Sequence, residues 1–289
     1  MNLPLFPRVI TVVCVIRSVH DYRQESDPGG TNMRSSLVVC AVLFSAVIAA
    51  ISMTSCHGGG TPVQPQTTLF RDPALEQIVA DALGKDPASI TVQDLATLTE
   101  LSGMPGLFSD VFDIEGLQYC VNLEKLSLSG AEITDLSPIS SLKKLSVLNL
   151  SGCRSLYDIS PLTNLTSLTE LDLSYAGLVR DLTPLSQLTD LRKLDLAQSL
   201  IGSLQPLAPL GGLTDLDLSR CVYLRDISAL AWLGNLALLD LTWCRGVTDF
   251  TSIAHLSRLS SLSISDNGIT GISFLCGLTE LSILGLDSN

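Results

Sequence analysis

The chain has 289 residues, a formal net charge of −12, and only 5% aromatic residues. Without residues 1–55 it keeps 13 basic against 26 acidic side chains, so the negative balance belongs to its main body. Such a surface repels nucleic acid and anionic membrane faces, and it favours a basic partner or a cation.

Residues 1–32 carry a short apolar run, Val9–Ile16, and then a polar stretch. They read as an upstream extension, with translation expected to begin at Met33. Residues 33–55 read as an export signal. Arg34 supplies the positive start, the 17 residues of Leu37–Met53 are almost all apolar, and small polar residues precede Cys56. The run is short for a spanning helix, which needs about 20 residues.

Met53-Thr54-Ser55-Cys56 resembles the lipobox of bacterial lipoproteins, with Met53 where that family prefers leucine. The resemblance implies lipid attachment at Cys56 and a membrane contact through that anchor. An uncleaved anchor and a plain secreted form are the alternatives. His57 in place of Asp after the cysteine leans toward the outer membrane or the cell surface if the cell is Gram-negative. Residues 56–69 hold Gly, Pro, Gln and Thr without apolar period and read as a flexible tether.

Residues 70–104 read as a helical cap. Asp72-Pro73 is an N-cap followed by proline at the first helical position, and Gly84 ends the run. A second helix is expected to open at Thr91, whose spacing to Asp94 fits a capping box, and to carry Leu95, Leu98 and Leu101 on one stripe as far as Leu101.

Residues 105–289 form repeats. The first leucine of each unit falls at 123, 145, 168, 191, 213, 236, 259 and 281, giving about eight units of 22–23 residues, the last one incomplete. A regular period in this range marks a solenoid, because one unit cannot bury its apolar face alone. LxxLxL places alternate side chains on opposite faces of a short strand, and the return segments make the sheet parallel. Ser137-Pro138, Ser160-Pro161 and Thr183-Pro184 each offer a hydroxyl before proline to cap a short helical turn. The expected fold is an α/β solenoid: a curved leucine-rich-repeat stack, parallel sheet on the concave face, behind a small N-terminal helical cap.

Four columns of residues between and after the leucines are expected to face solvent on the concave side. The second column stacks Asp172, Asp195, Asp217 and Asp240 on successive strands, at a repulsive cost that a binding role or plain solvation must explain. The last column brings Tyr175, Arg220 and Trp243 to one edge; these are residue types enriched at binding hot spots. Cys153, Cys221 and Cys244 share one inward position as small apolar groups with a weak S–H donor. Cys221 and Cys244 lie on adjacent rungs, where a disulfide depends on geometry.

Phe70–Leu126 and the repeats, such as Ile133–Ile139 and Asp158–Leu168, resemble the internalin-type leucine-rich-repeat proteins. That family keeps Asn at a turn position held here by Ala131, Cys153, Ala176, Ser199, Cys221, Cys244, Asn267 and Asn289. An interrupted side-chain ladder is therefore expected near Ala131 and Ala176.

The histidines, His20, His57 and His255, have no matching nucleophile with an orienting acid, and no glycine loop cradles phosphate. No His/Cys spacing suits zinc. The reading is a binding protein, not an enzyme, without metal or cofactor. It is expected to be a surface-anchored module that meets an extracellular or host protein through its concave sheet, with adhesion as the role that the resemblance implies. The alternatives are a structural envelope lipoprotein that self-associates through its uncapped C-terminal end, and a cytosolic regulator similar to the leucine-rich-repeat phosphatase regulators.

Overall fold

The computed structural model describes residues 69–104 and 106–289. The proposed extension, export signal, Cys56 and most of the tether lie outside the described residues. Among the described residues, no helix is long and apolar enough to cross a membrane.

Nine strands form one parallel sheet in strict chain order: β1 Glu100–Leu101, β2 Lys125–Ser127, β3 Val147–Asn149, β4 Glu170–Asp172, β5 Lys193–Asp195, β6 Asp215–Asp217, β7 Leu238–Asp240, β8 Ser261–Ser263 and β9 Ile283–Gly285. The repeat leucines pair in register across it: Leu126 with Leu148, Leu148 with Leu171, and so on to Leu262 with Leu284. Their side chains are removed from water from Leu126 through Leu262, while Leu284 on the last strand is 40% exposed. Return segments made of short 3₁₀ turns, for example Ser160–Asn164 and Ser228–Trp232, bring the chain back to the next strand. Leu162 and Leu230 on those turns close the core from the other side.

The cap departs from expectation at its second helix. Helix α1 spans Pro73–Leu83 and ends on Gly84 in the left-handed conformation, as the sequence indicates. Helix α2 covers only Val92–Leu95, with the Thr91–Asp94 capping box in place. The chain then straightens, and Glu100 and Leu101 form β1, in register with Lys125 and Leu126. Leu95, Leu98 and Leu101 are all buried. Their spacing suits a helical stripe and the approach to a repeat strand equally, and the open edge of β2 selects the strand. The sheet therefore has one rung more than the eight leucine starts suggest and is about 38 Å long.

The hydroxyls before proline do not cap the return turns. An aspartate two residues ahead does so. Asp135 Oδ1 accepts from the Ser137 N–H at 2.7 Å, and Asp158, Asp181, Asp226 and Asp249 do the same in their repeats at 2.8–2.9 Å. The Ser137 hydroxyl donates to Asp135 in turn. Hydrogen bonds from Thr183, Ser228 and Thr251 hold the carboxyls of Asp181, Asp226 and Asp249 below the usual carboxylate range.

The turn-position ladder is interrupted at Ala131 and Ala176, as expected, and is carried by substitution at the cysteines. The thiols of Cys153, Cys221 and Cys244 donate to the carbonyls of Leu128, Leu196 and Leu218 at 3.2, 3.1 and 3.0 Å. Asn267 reaches Leu241 O at 2.9 Å in the same way. Burial pushes the three thiols up to about 12, so they stay protonated and donate. All three are free, so no bridge joins Cys221 to Cys244.

Ala131 and Ala176 donate nothing from their side chains. The carbonyl left without a side-chain donor at Ala176, Leu150 O, still accepts from the Cys153 N–H, so the loss is of a second bond only. Ser199 is the weak point: its Oγ is buried and unpartnered, because its C–O arm is shorter than a C–S arm. A Ser199→Cys variant is expected to gain about 1 kcal/mol, from removing an unsatisfied hydroxyl and adding a thiol donor. A urea midpoint that does not rise would show that the hydroxyl costs nothing.

Candidate concave binding face

After the two-residue β1 each strand is only three residues long, and this sets what the concave face displays. The first and third residues of a strand point into the groove, while the middle leucine points into the core. Later residues belong to a turn that leaves the sheet. Of the four expected columns, the first two therefore line the groove. The third lies at the strand ends and is partly or fully buried from Ser129 through Ser265, with Ser129 and Ser151 bonded to each other at 2.8 Å. The fourth stands on the rim.

The expected aspartate row is present. Asp172 pairs with Asp195, Asp195 with Asp217, and Asp217 with Asp240. Each carboxylate also serves its own strand. Asp172 Oδ1 accepts from the Ser174 N–H at 2.9 Å and hydroxyl at 2.6 Å. Asp195, Asp217 and Asp240 accept from the N–H two residues on, at 2.9, 2.8 and 2.7 Å. Asn149 makes the same bond to Ser151, so the turn needs an acceptor and not a charge. Charge in the row is thus additional to what the fold requires.

Its electrostatic consequence concentrates at Asp195, whose carboxyl is pushed up to about 6. Burial is the main cause. The Ala197 N–H opposes it, and Asp217, Asp172 and Asp240 add to it.

The row forms the floor of a groove of about 510 Å³ that also takes in Glu170, Lys193, Asp215 and Leu238. Lys193 is drawn to Glu170 at 3.1 Å. That hydrogen bond raises its pKa. Lys193 therefore leaves the aspartate row largely unneutralised. Leu238 is exposed on this floor. Among the described residues, no group of three or more potential ligands is placed to hold a metal ion. The groove instead offers separate carboxylates one rung apart.

The rim has a backbone signature. Gly130 and Gly152 have φ of 80° and 70°, and Tyr175, Gln198, Arg220, Trp243, Asp266 and Ser288 take φ of 57–62° at the equivalent turn. Side chains are unfavourable in this left-handed region, at about 1 kcal/mol or more each. The structure brings two of the three expected rim residues together: Arg220 Cζ lies 5.9 Å from the Trp243 ring centre. Tyr175 is exposed but three rungs from Trp243, about 14 Å along the stack.

Arg245, which the column pattern does not single out, is the closer partner, with Cζ 4.0 Å from the Trp243 ring centre. Its guanidinium also donates to Asp266 O at 3.4 Å. Its signal was its place two residues after Trp243, on the same edge. Trp232 also falls outside the columns. It is 72% exposed at the end of a return turn, on the side away from the groove.

A one-rung-per-repeat parallel sheet with a leucine core defines a leucine-rich-repeat protein, a class built for protein–protein interaction and generally non-enzymatic. A family profile described as "Leucine Rich repeats (2 copies)" matches residues 121–164. No curated protein matches the sequence. Among solved structures, internalin C2 of Listeria monocytogenes is 34% identical over 75% of this chain and 94% of its own, with a TM-score of 0.67. An internalin (inlF) of the same organism is 32% identical over 75% of this chain and 69% of its own, with a TM-score of 0.60. A leucine-rich-repeat protein of Leptospira interrogans shares the fold at 24% identity, covering 68% of this chain and 51% of its own, with a TM-score of 0.58. The chain belongs to the internalin-like leucine-rich-repeat proteins.

Proposed function

We propose that this chain is a surface-anchored, internalin-like module, lipid-modified at Cys56, that captures an extracellular or host protein on its concave sheet. The envelope, or the outer membrane of a Gram-negative cell, is the proposed location, and adhesion to a host or neighbouring cell is the proposed role. One observation carries the binding half. A row of carboxylates that the fold does not need as charges lies beside an exposed tryptophan flanked by two arginines. The anchoring half rests on the apolar run and the Met53–Cys56 motif.

The tests are separate. Feeding cells a labelled fatty acid should label the wild-type chain and not a Cys56→Ala variant; label on both, or on neither, removes the anchor. The full chain displayed on cells should bind a protein on host or neighbouring cells, and protease treatment of those target cells should abolish binding. In that assay Trp243→Ala is expected to weaken affinity about tenfold, as for a hot-spot aromatic, with thermal stability little changed. Unchanged affinity would remove the rim from the site.

A further inference from the structure

We propose that the concave groove is shaped for an amphipathic α-helix of the partner, lying along the solenoid axis with lysines or arginines at successive turns facing the aspartate row. The inference rests on the proposed binding role of the concave face and specifies its partner chemistry.

Pitch favours a helix. Asp172, Asp195, Asp217 and Asp240 sit on adjacent strands, so they repeat about every 4.8 Å and span about 14 Å. A helix laid along them presents one face every turn, about 5.4 Å, or about 16 Å over the same three intervals. That mismatch of about 2 Å is within the reach of flexible lysine and arginine side chains. An extended segment presents one face every second residue, about 6.7 Å, and drifts some 6 Å out of step over the row.

Width agrees with pitch. Strands of three residues make a floor about 10 Å across, and a helix with its side chains is about 10–12 Å wide.

Charge and contact complete the match. Asp215 adds to the floor, and Lys193 is engaged by Glu170, so a basic face meets a largely uncompensated aspartate row. Exposed Leu238 on the floor and Trp243 on the rim offer apolar contact beside them. Arg220 and Arg245 around Trp243 would meet the acidic or apolar flank of the same helix and discourage a uniformly cationic chain. An amphipathic segment fits this arrangement, and a structureless polycation does not.

The test uses the full chain in detergent and a fluorescent 18-residue alanine-based helix with lysines at positions 3, 7, 10 and 14 and glutamates on one flank. The control peptide has the same length and the same charged residues, with the lysines spaced every second residue and a central proline in place of one alanine. The helix is expected to bind at least tenfold more tightly than the control, to weaken as salt rises, and to lose at least tenfold in an Asp195→Asn/Asp217→Asn variant. Asparagine keeps the turn bond, as Asn149 does, so folding is retained and circular dichroism should not change. Equal binding of the two peptides, no measurable binding of either, or binding indifferent to the double variant would overturn the inference. Retained capture of the target-cell protein in those cases would leave the broader binding role standing, and loss of both would remove both.

Discussion

An Asp72→Ala variant is expected to lose about 3 kcal/mol of unfolding free energy at neutral pH. The residue does two jobs with two oxygens. Oδ1 caps α1, accepting from Ala74 N at 2.8 Å and Leu75 N at 3.2 Å. Oδ2 reaches across the cap to the Phe112 N–H at 2.7 Å and the Asp113 N–H at 3.2 Å. The side chain thus ties the first helix to the segment that leads into the repeats, and it is only 7% exposed. Losing an N-cap costs about 1 kcal/mol, and stranding buried N–H donors adds about 1–3 kcal/mol.

Asp72→Asn separates the two jobs. Its amide can supply one acceptor to the helix end, but its NH₂ then faces the Phe112 N–H, so part of the loss should remain. Burial pushes the Asp72 carboxyl up, and the four backbone donors more than offset that, leaving it below its ordinary value. Its contribution is therefore complete above the unfolded carboxylate value, near pH 4, and is lost as pH falls through the lower folded value. Urea unfolding from pH 7 down to pH 2.5 measures both effects. An Ala variant with the wild-type midpoint would show that the cap is held by its apolar contacts alone.

What the sequence disclosed follows from where physical constraint is periodic. The leucines recur because each rung repeats the same burial, so the pattern alone places Leu126 through Leu262 in the core. The aspartate row was legible for the same reason: one position per strand, three strand residues, and a fixed register. Features that depend on one particular neighbour were not legible. Arg245 stacks on Trp243 because a turn in the left-handed conformation sets that ring against the residues that follow it, and nothing in the residue pattern states that placement. A signal was available in Gly130 and Gly152, which hold the same position in earlier repeats and mark it as one of positive φ. Leu95, Leu98 and Leu101 misled because spacing of three suits a helix face, whereas the unpaired edge of β2 draws Glu100 and Leu101 into the sheet. The capping hydroxyls misled because the N–H groups they would reach are taken by backbone carbonyls, such as Ile139 N by Leu136 O, while Asp135 and its equivalents take the N–H of the hydroxyl residue itself.

The second large effect is at Asp195, and its sign is opposite to that of Asp72. Replacing Asp195 with Asn should raise stability at pH 7 by about 1–2 kcal/mol. A displacement from an ordinary value near 4 to about 6 would correspond to somewhat under 3 kcal/mol, reduced here because the groove is partly open to water. The folded chain binds this proton more tightly than the unfolded chain does. Wild-type stability attributable to Asp195 therefore rises as pH falls from about 6 toward 4 and is fully recovered below the unfolded value. Asparagine has no such dependence, so the advantage of the variant should shrink over that window and vanish near pH 4. Taking the difference between variant and wild type at each pH cancels the other carboxylates, including Asp72.

In the Asp195→Asn variant the Ala197 N–H keeps a side-chain acceptor, as the Ser151 N–H does with Asn149, so no cavity or orphaned donor confuses the comparison. A variant less stable than wild type at pH 7, or a difference that persists at pH 4, would mean that burial and the neighbouring carboxylates do not hold Asp195 above its ordinary value. If the gain appears together with weaker capture of the basic helix, the row is stability given up for recognition. The carboxylates are then present for the partner, because one acceptor atom was all the turn required.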